Sequence, residues 1–292
     1  MAIDDLPVQA PLRLAEGQAY GERVLERSRP VLASRHGLFD QPFGDDYYQK
    51  LDVFLPDGQQ DEPLPVLMFA HGGSWIAGYK EWMAFMAPAI TALPAIFVSV
   101  SYRLAPKTRH PGLYDDCVSA LKWVYDHADA IGADRSRLFV GGHSAGGHLM
   151  ALVATNNAGL VARGLPADVV KGCIPVSASF DVRLASPSLI GTSHAHQVLL
   201  ADPADADSAS PIASVSAKLP PFLITVGEFD FPRLRDQGLR MAEALLKAGV
   251  QMKFLDLPGH DHFDTSERSV DSDHPWLKNV ARMLGEHEKR RG

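Results

Sequence analysis

At 292 residues the chain is long enough for one large domain with a substantial core, and no Pro-, Gly- or Ser-rich linker or break in composition argues for two. Its formal charge is −7 with basic residues scattered, which leaves no electrostatic footprint for nucleic acid or an anionic membrane; the terminal Lys289, Arg290 and Arg291 read as a solvated helix end. The acidic start, Met1 to Pro7, supports neither a secretory signal nor an anchor, and no run approaches the ~18 apolar residues of a membrane helix. Cys117 and Cys173 fall in a predicted helix and a predicted strand and read as buried free thiols, so a reduced, cytoplasmic protein is expected.

In chain order, Gln18 to Ala33 has the spacing of an amphipathic helix outside the main sheet, able to lie over the active-site face. Phe39 to Phe43 reads as loop, and Tyr47 to Leu55 as a strand ending at the turn Pro56-Asp57-Gly58. The apolar run Pro65 to Ala70 predicts a central strand, Tyr79 to Leu93 a helical segment, and Ala95 to Ser101 another buried strand. From Pro111 to Ile131, apolar residues at spacings of three and four predict a crossover helix leading into the strand Leu138 to Val140. Val169 to Ser177 reads as strand despite Pro175, and Asp181 to Ala217 as a polar excursion between core strands; His194 and His196 within it read as surface histidines, since no metal spacing surrounds them. Pro221 to Val226 and Met252 to Asp256 are predicted strands, and Leu234 to Ala248, closed by Gly249, and Pro275 to Glu288 predicted helices.

Four stretches carry chemistry. Gly142-His143-Ser144-Ala145-Gly146 joins the Leu138 strand to a helix over Ala145 to Thr155, and glycines flanking the serine permit a sharp turn that leaves its hydroxyl exposed above a positive helix end. Ser144 is therefore the expected nucleophile. Upstream, His71-Gly72-Gly73-Ser74-Trp75 opens a loop at the carboxyl end of a strand, where backbone N–H groups can converge on a developing oxyanion; the expected donors are Gly73, Ser74 and Ala145, with Gly72 competing. His71 reads as a brace for that loop. Serine needs an imidazole to take its proton and a carboxylate to hold the imidazole. Asp230 and His262 are the candidates; Glu228 on the same loop as Asp230 and His260 beside His262 remain alternatives.

These stretches, together with Ser101-Tyr-Arg-Leu-Ala-Pro106 and Gly227-Glu-Phe-Asp-Phe-Pro232, resemble the α/β-hydrolase superfamily over roughly residues 47 to 285. The resemblance implies an α/β fold with a mostly parallel central sheet, helices on both faces and a small cap, in which the N-terminal ~45 residues and about 181–217 cover the active site. Within the superfamily the chain resembles the hormone-sensitive-lipase-like esterases and the kynurenine formamidase (arylformamidase) branch. His71 to Trp75 and His143 point to the formamidases, whereas Tyr102 to Pro106 followed by Pro111, Asp115 and Asp116 points to the esterases.

The resulting expectation is a serine carboxylesterase acting on a small-molecule acyl substrate through an acyl-enzyme, with no cofactor and no metal. An arylformamidase cleaving a formyl C–N bond is the second reading and a non-catalytic ligand-binding relative the third. Aromatics near the predicted rim are Trp75, Tyr79, Trp82, Phe180, Phe229 and Phe231, of which Trp75 and Phe229 are the candidates for substrate contact. No nucleic-acid or membrane partner is expected, and a homodimer is left open.

Overall fold

A computed structural model describes residues 3–34, 36–183 and 197–289, with side chains to residue 285; His194 and His196 lie outside the described residues. Eight strands among these residues form one sheet in the order β1-β2-β4-β3-β5-β6-β7-β8. They are β1 (Gly37–Pro42), β2 (Lys50–Phe54), β3 (Leu64–Ala70), β4 (Ile96–Val100), β5 (Ala133–His143), β6 (Val170–Val176), β7 (Phe222–Phe229) and β8 (Met252–Asp261). From β4 to β8 every neighbour is parallel, and β2 runs antiparallel to both β1 and β4. Parallel strands must be covered on both faces, which is why β3 and β4 are buried at every position, β3 reading as an unbroken apolar run and β4 as one interrupted only by Ser99.

Helices α1 (Ala15–Ser34), α2 (Ala87–Thr91), α3 (Gly112–Asp126), α4 (Ala145–Thr155), α5 (Asn157–Ala162), α6 (Pro232–Lys247), α7 (Asp264–Glu267) and α8 (Pro275–Lys289) surround the sheet. Two apolar clusters result. One holds β-strand residues such as Met68 and Val140 with Leu121 of α3 and Leu149 of α4; the other holds Phe69, Phe97 and Phe139 with Trp276 of α8 and the Tyr20 side of α1. The stretch Tyr79 to Leu93, expected to be helical, begins as a 3-10 turn over Lys80–Met86 and continues as α2.

One expected loop is a strand. β1 occupies Gly37–Pro42, where Phe39 to Phe43 reads as loop in the sequence, because its pairing with β2 slips between Leu38 and Gln41 and Asp40 takes a φ of 55°. The irregularity is held by the Asp40 N–H, which donates to the Asp52 carboxylate at 2.7 Å. Cys117 and Cys173 are free and buried, as expected, and burial raises both thiols above their ordinary range.

Candidate active site

β5 ends at His143, α4 begins at Ala145, and the residue between them turns with φ 53° and ψ −116°. A non-glycine residue pays roughly 1–3 kcal/mol for such a conformation. The turn closes only because the chain comes very near itself: a Cβ on Gly142 would sit 2.5 Å from the Gly146 carbonyl carbon, and one on Gly146 would sit 2.3 Å from the carbonyl oxygens of both Ala70 and His71. The glycines thus let α4 start against the end of β3, with the Ser144 hydroxyl above its first turn.

A hydrogen-bonded relay begins at that hydroxyl. Ser144 Oγ lies 3.0 Å from His262 Nε2, and His262 Nδ1 lies 2.8 Å from Asp230 Oδ1. With the carboxylate accepting, Nδ1 carries the proton and Nε2 is left to accept from the serine. Burial pushes the Asp230 carboxyl up, but the bond and charge of His262, the nearby Ser177 hydroxyl and the Phe231 N–H more than offset it, so it stays below the usual range. An imidazole placed this way can take the serine proton, with an ionised carboxylate to stabilise the imidazolium.

The alternatives left open by spacing point elsewhere. Glu228 accepts from the Gly259 N–H at 2.8 Å, and His260 faces His274 across 3.2 Å between their Nε2 atoms.

Residues that spacing did not assign hold His262 in place. Its carbonyl accepts from His143 Nε2 at 2.9 Å and from Thr265 Oγ1 at 2.7 Å, and Thr265 is bonded to Ser177 at 2.7 Å. His143 is 1% exposed, and burial first, then the neighbouring His262, brings its pKa down to about 3, so it stays neutral. The only sequence signal for this role was its place next to Ser144.

The loop after β3 is equally constrained. Gly73 has φ 114°, Ser74 φ 53° and Trp75 φ 63°, and a Cβ on Gly73 would fall 2.1 Å from the Ala77 carbonyl oxygen. Gly73 and Ser74 line the same cleft as Ser144, whereas Gly72 does not. Among the described residues, no acceptor takes the N–H of Gly73, Ser74 or Ala145. His71 braces the loop as expected: it stacks on Tyr102 with ring centroids 4.4 Å apart, Tyr102 donates to its carbonyl at 2.9 Å, and burial lowers its pKa to about 4.

The cleft is narrow, about 70 Å³, and its aromatic wall differs from the expected one. Trp75 is 4% exposed and points inward, its indole N–H donating to His148 Nδ1 at 3.2 Å, so it supports the loop from beneath and does not line the cleft. Phe229 ends β7 and is 68% exposed to solvent, also outside the cleft. The aromatic rings that do line it are Phe231, Phe263 and Tyr20. Phe231 lies 4.6 Å from the His262 ring and Tyr20 5.2 Å from Phe263. Tyr20 belongs to α1, the segment whose amphipathic spacing allows it to lie over the active-site face. Phe180, Tyr79 and Trp82 are core residues.

The described part of the 181–217 excursion packs near α4, where Ala209 accepts from His148 Nε2 at 2.8 Å. Among the described residues no helix is long and apolar enough to cross a membrane.

Sheet order, a strained serine between strand and helix, and an imidazole and carboxylate at the ends of later strands are the marks of one fold family. Residues 67–264 match the family model described as alpha/beta hydrolase fold, and the chain belongs to that family as a hydrolase of the esterase type. Kynurenine formamidase of the zebrafish Danio rerio is 30% identical over 266 residues, 89% of this chain and 85% of that protein. Esterase LipC of Mycobacterium tuberculosis is 31% identical over 261 residues, 81% of this chain but 63% of its own length. The hyperthermophilic esterase from the archaeon Pyrobaculum calidifontis superposes with a TM-score of 0.73 at 24% identity, over 96% of this chain and 99% of that one, a likeness of fold.

Proposed function

We propose that the protein is a serine carboxylesterase that cleaves small esters through an acyl-enzyme. The observation that carries this reading is the relay from Asp230 through His262 to Ser144, at 2.8 and 3.0 Å. In the proposed mechanism His262 takes the proton of Ser144 as its Oγ attacks the acyl carbon, and the amides of Gly73, Ser74 and Ala145 receive the oxyanion. His262 returns the proton to the leaving alcohol, then activates the water that frees the acid. Asp230 stays ionised throughout and holds the imidazole. Ser144→Ala is expected to lower kcat by about 10⁴-fold or more with the fold intact by circular dichroism; turnover close to wild type would refute the assignment.

The second reading is an arylformamidase, in which the same groups cleave a formyl C–N bond and His262 protonates the leaving amine. It is favoured by the formamidase relative, which matches along most of both chains, and by an aromatic cleft wall suited to an aryl group. A comparison of kcat/KM for 4-nitrophenyl butyrate and formanilide separates the two. The ester is expected to be the better substrate, and a larger value for formanilide would reverse the order.

A further inference from the structure

The cleft wall supplied by the N-terminus carries a charge with no counter-charge. Arg13 lines the same cleft as Ser144 and His262, and among the described residues it has no ion-pair or hydrogen-bond partner. Among the described residues no carboxylate lines the cleft: the imidazoles of His143 and His262 apart, its other walls are apolar, aromatic or hydroxyl-bearing. That is notable in a chain of net charge −7.

The backbone around Arg13 is pinned on both sides. Before it, the Gln9 side chain clamps Gly78 just past the glycine loop, accepting from its N–H at 2.8 Å and donating to its carbonyl at 2.9 Å, while the Tyr79 hydroxyl bonds the Pro7 carbonyl. After it, Gly17 and Tyr20 are buried and the Tyr20 hydroxyl donates to Ser266 Oγ at 3.0 Å. The strap between these anchors holds Arg13 in the wall of the cleft that Ser144 also lines.

We propose that this cleft prefers substrates carrying an anionic group, a carboxylate on the acyl or aryl part, and that Arg13 recognises it. The proposal rests on the reading of Ser144 as the nucleophile. A guanidinium presents a planar fork of N–H donors that matches a carboxylate, and with no ion pair to break, a substrate anion meets it unopposed. Phe231, Phe263 and Tyr20 border the space in which the apolar portion would lie.

The test compares 4-nitrophenyl hemisuccinate, which ends in a carboxylate, with 4-nitrophenyl butyrate, its neutral counterpart of equal acyl length. In the formamide series the pair is 2-formamidobenzoate and formanilide. The quantity read is the ratio of kcat/KM, anionic over neutral, within one preparation, so any loss of folded protein cancels. An exposed ion pair is worth up to about fivefold. The ratio is expected to fall by about that factor in Arg13→Gln, to fall further in Arg13→Glu, and to be largely kept in Arg13→Lys. In the wild type it should also decline as salt is added, because the contact is open to screening. An unchanged ratio in Arg13→Glu would overturn the proposal while leaving the esterase reading standing. Failure of the wild type to turn over any of the four compounds, or turnover that survives Ser144→Ala, would overturn both.

Discussion

His143 and Thr265 both donate to the carbonyl of His262, so the imidazole is held through its own backbone as well as through Asp230. His143 is also the residue before Ser144, which makes the turn carrying the serine and the loop carrying the imidazole one hydrogen-bonded unit. A small displacement of a reacting group is costly, on the order of 10²-fold for 1 Å. His143→Phe keeps the ring shape and removes the donor, and is expected to lower kcat by about ten- to a hundredfold with little change in KM. His143→Gln, which returns an N–H at about the same reach, should recover most of it. Equal losses in both variants would assign His143 to packing alone.

At this scale the chemistry-bearing stretches are legible because each is local. The glycines that crowd Ser144 and the loop after β3 lie within five residues of the groups they serve. The choice between Asp230 and Glu228, or His262 and His260, is not legible in the same way: spacing says which residues share a loop, and only the folded chain shows that Glu228 turns to Gly259 and His260 to His274. The misplaced aromatics have the same cause. Trp75 adjoins the glycine loop in sequence, but three successive left-handed residues, Gly73 to Trp75, turn its indole inward to His148.

Among the elements, the meeting of β3, β5 and α4 is the most tightly specified. Gly146 lies in the first turn of α4 where the carbonyls of Ala70 and His71 leave no room for a side chain, and both obstacles are backbone atoms that cannot rotate away. Gly146→Ala is therefore expected to cost about 3 kcal/mol or more, seen as a drop in the urea midpoint or in the yield of folded protein, although alanine is the better helix former. A variant as stable as wild type would mean that α4 can shift without cost. Strands such as β3 and β4 are legible because a doubly covered strand is apolar almost throughout, Ser99 being the one polar residue of β4. β1 is not, because its bulge breaks the alternation and its pairing partner β2 settles it from outside.

Across the whole molecule, burial of neutral imidazoles ties stability to pH. His71, His143 and His148 are almost completely buried, and desolvation brings their pKa values from 6.5 to about 4, 3 and 4. As pH falls below 6.5 the unfolded chain takes up protons that the folded chain refuses. The stability present above 6.5 is therefore lost with falling pH, down to the folded values near 4 and 3. Each group contributes up to about 1.4 kcal/mol per pH unit, so the three together approach about 4 kcal/mol per unit. Urea midpoints at pH 7, 6 and 5 should fall steeply, and a flat profile would show that the unfolded chain gains no protons over the folded one.

The clasp between Tyr20 and Ser266 joins residues 246 positions apart, and the Arg23–Glu267 ion pair beside it spans 244. Contacts between positions so far apart in sequence carry a high loop-closure cost, met by the sheet that lies between them. The mouth of the cleft thus joins the two ends of the chain, whereas the Ser144 turn sits at a single strand-to-helix junction. The entrance above the serine is therefore a property of the whole topology and not of any one stretch of sequence.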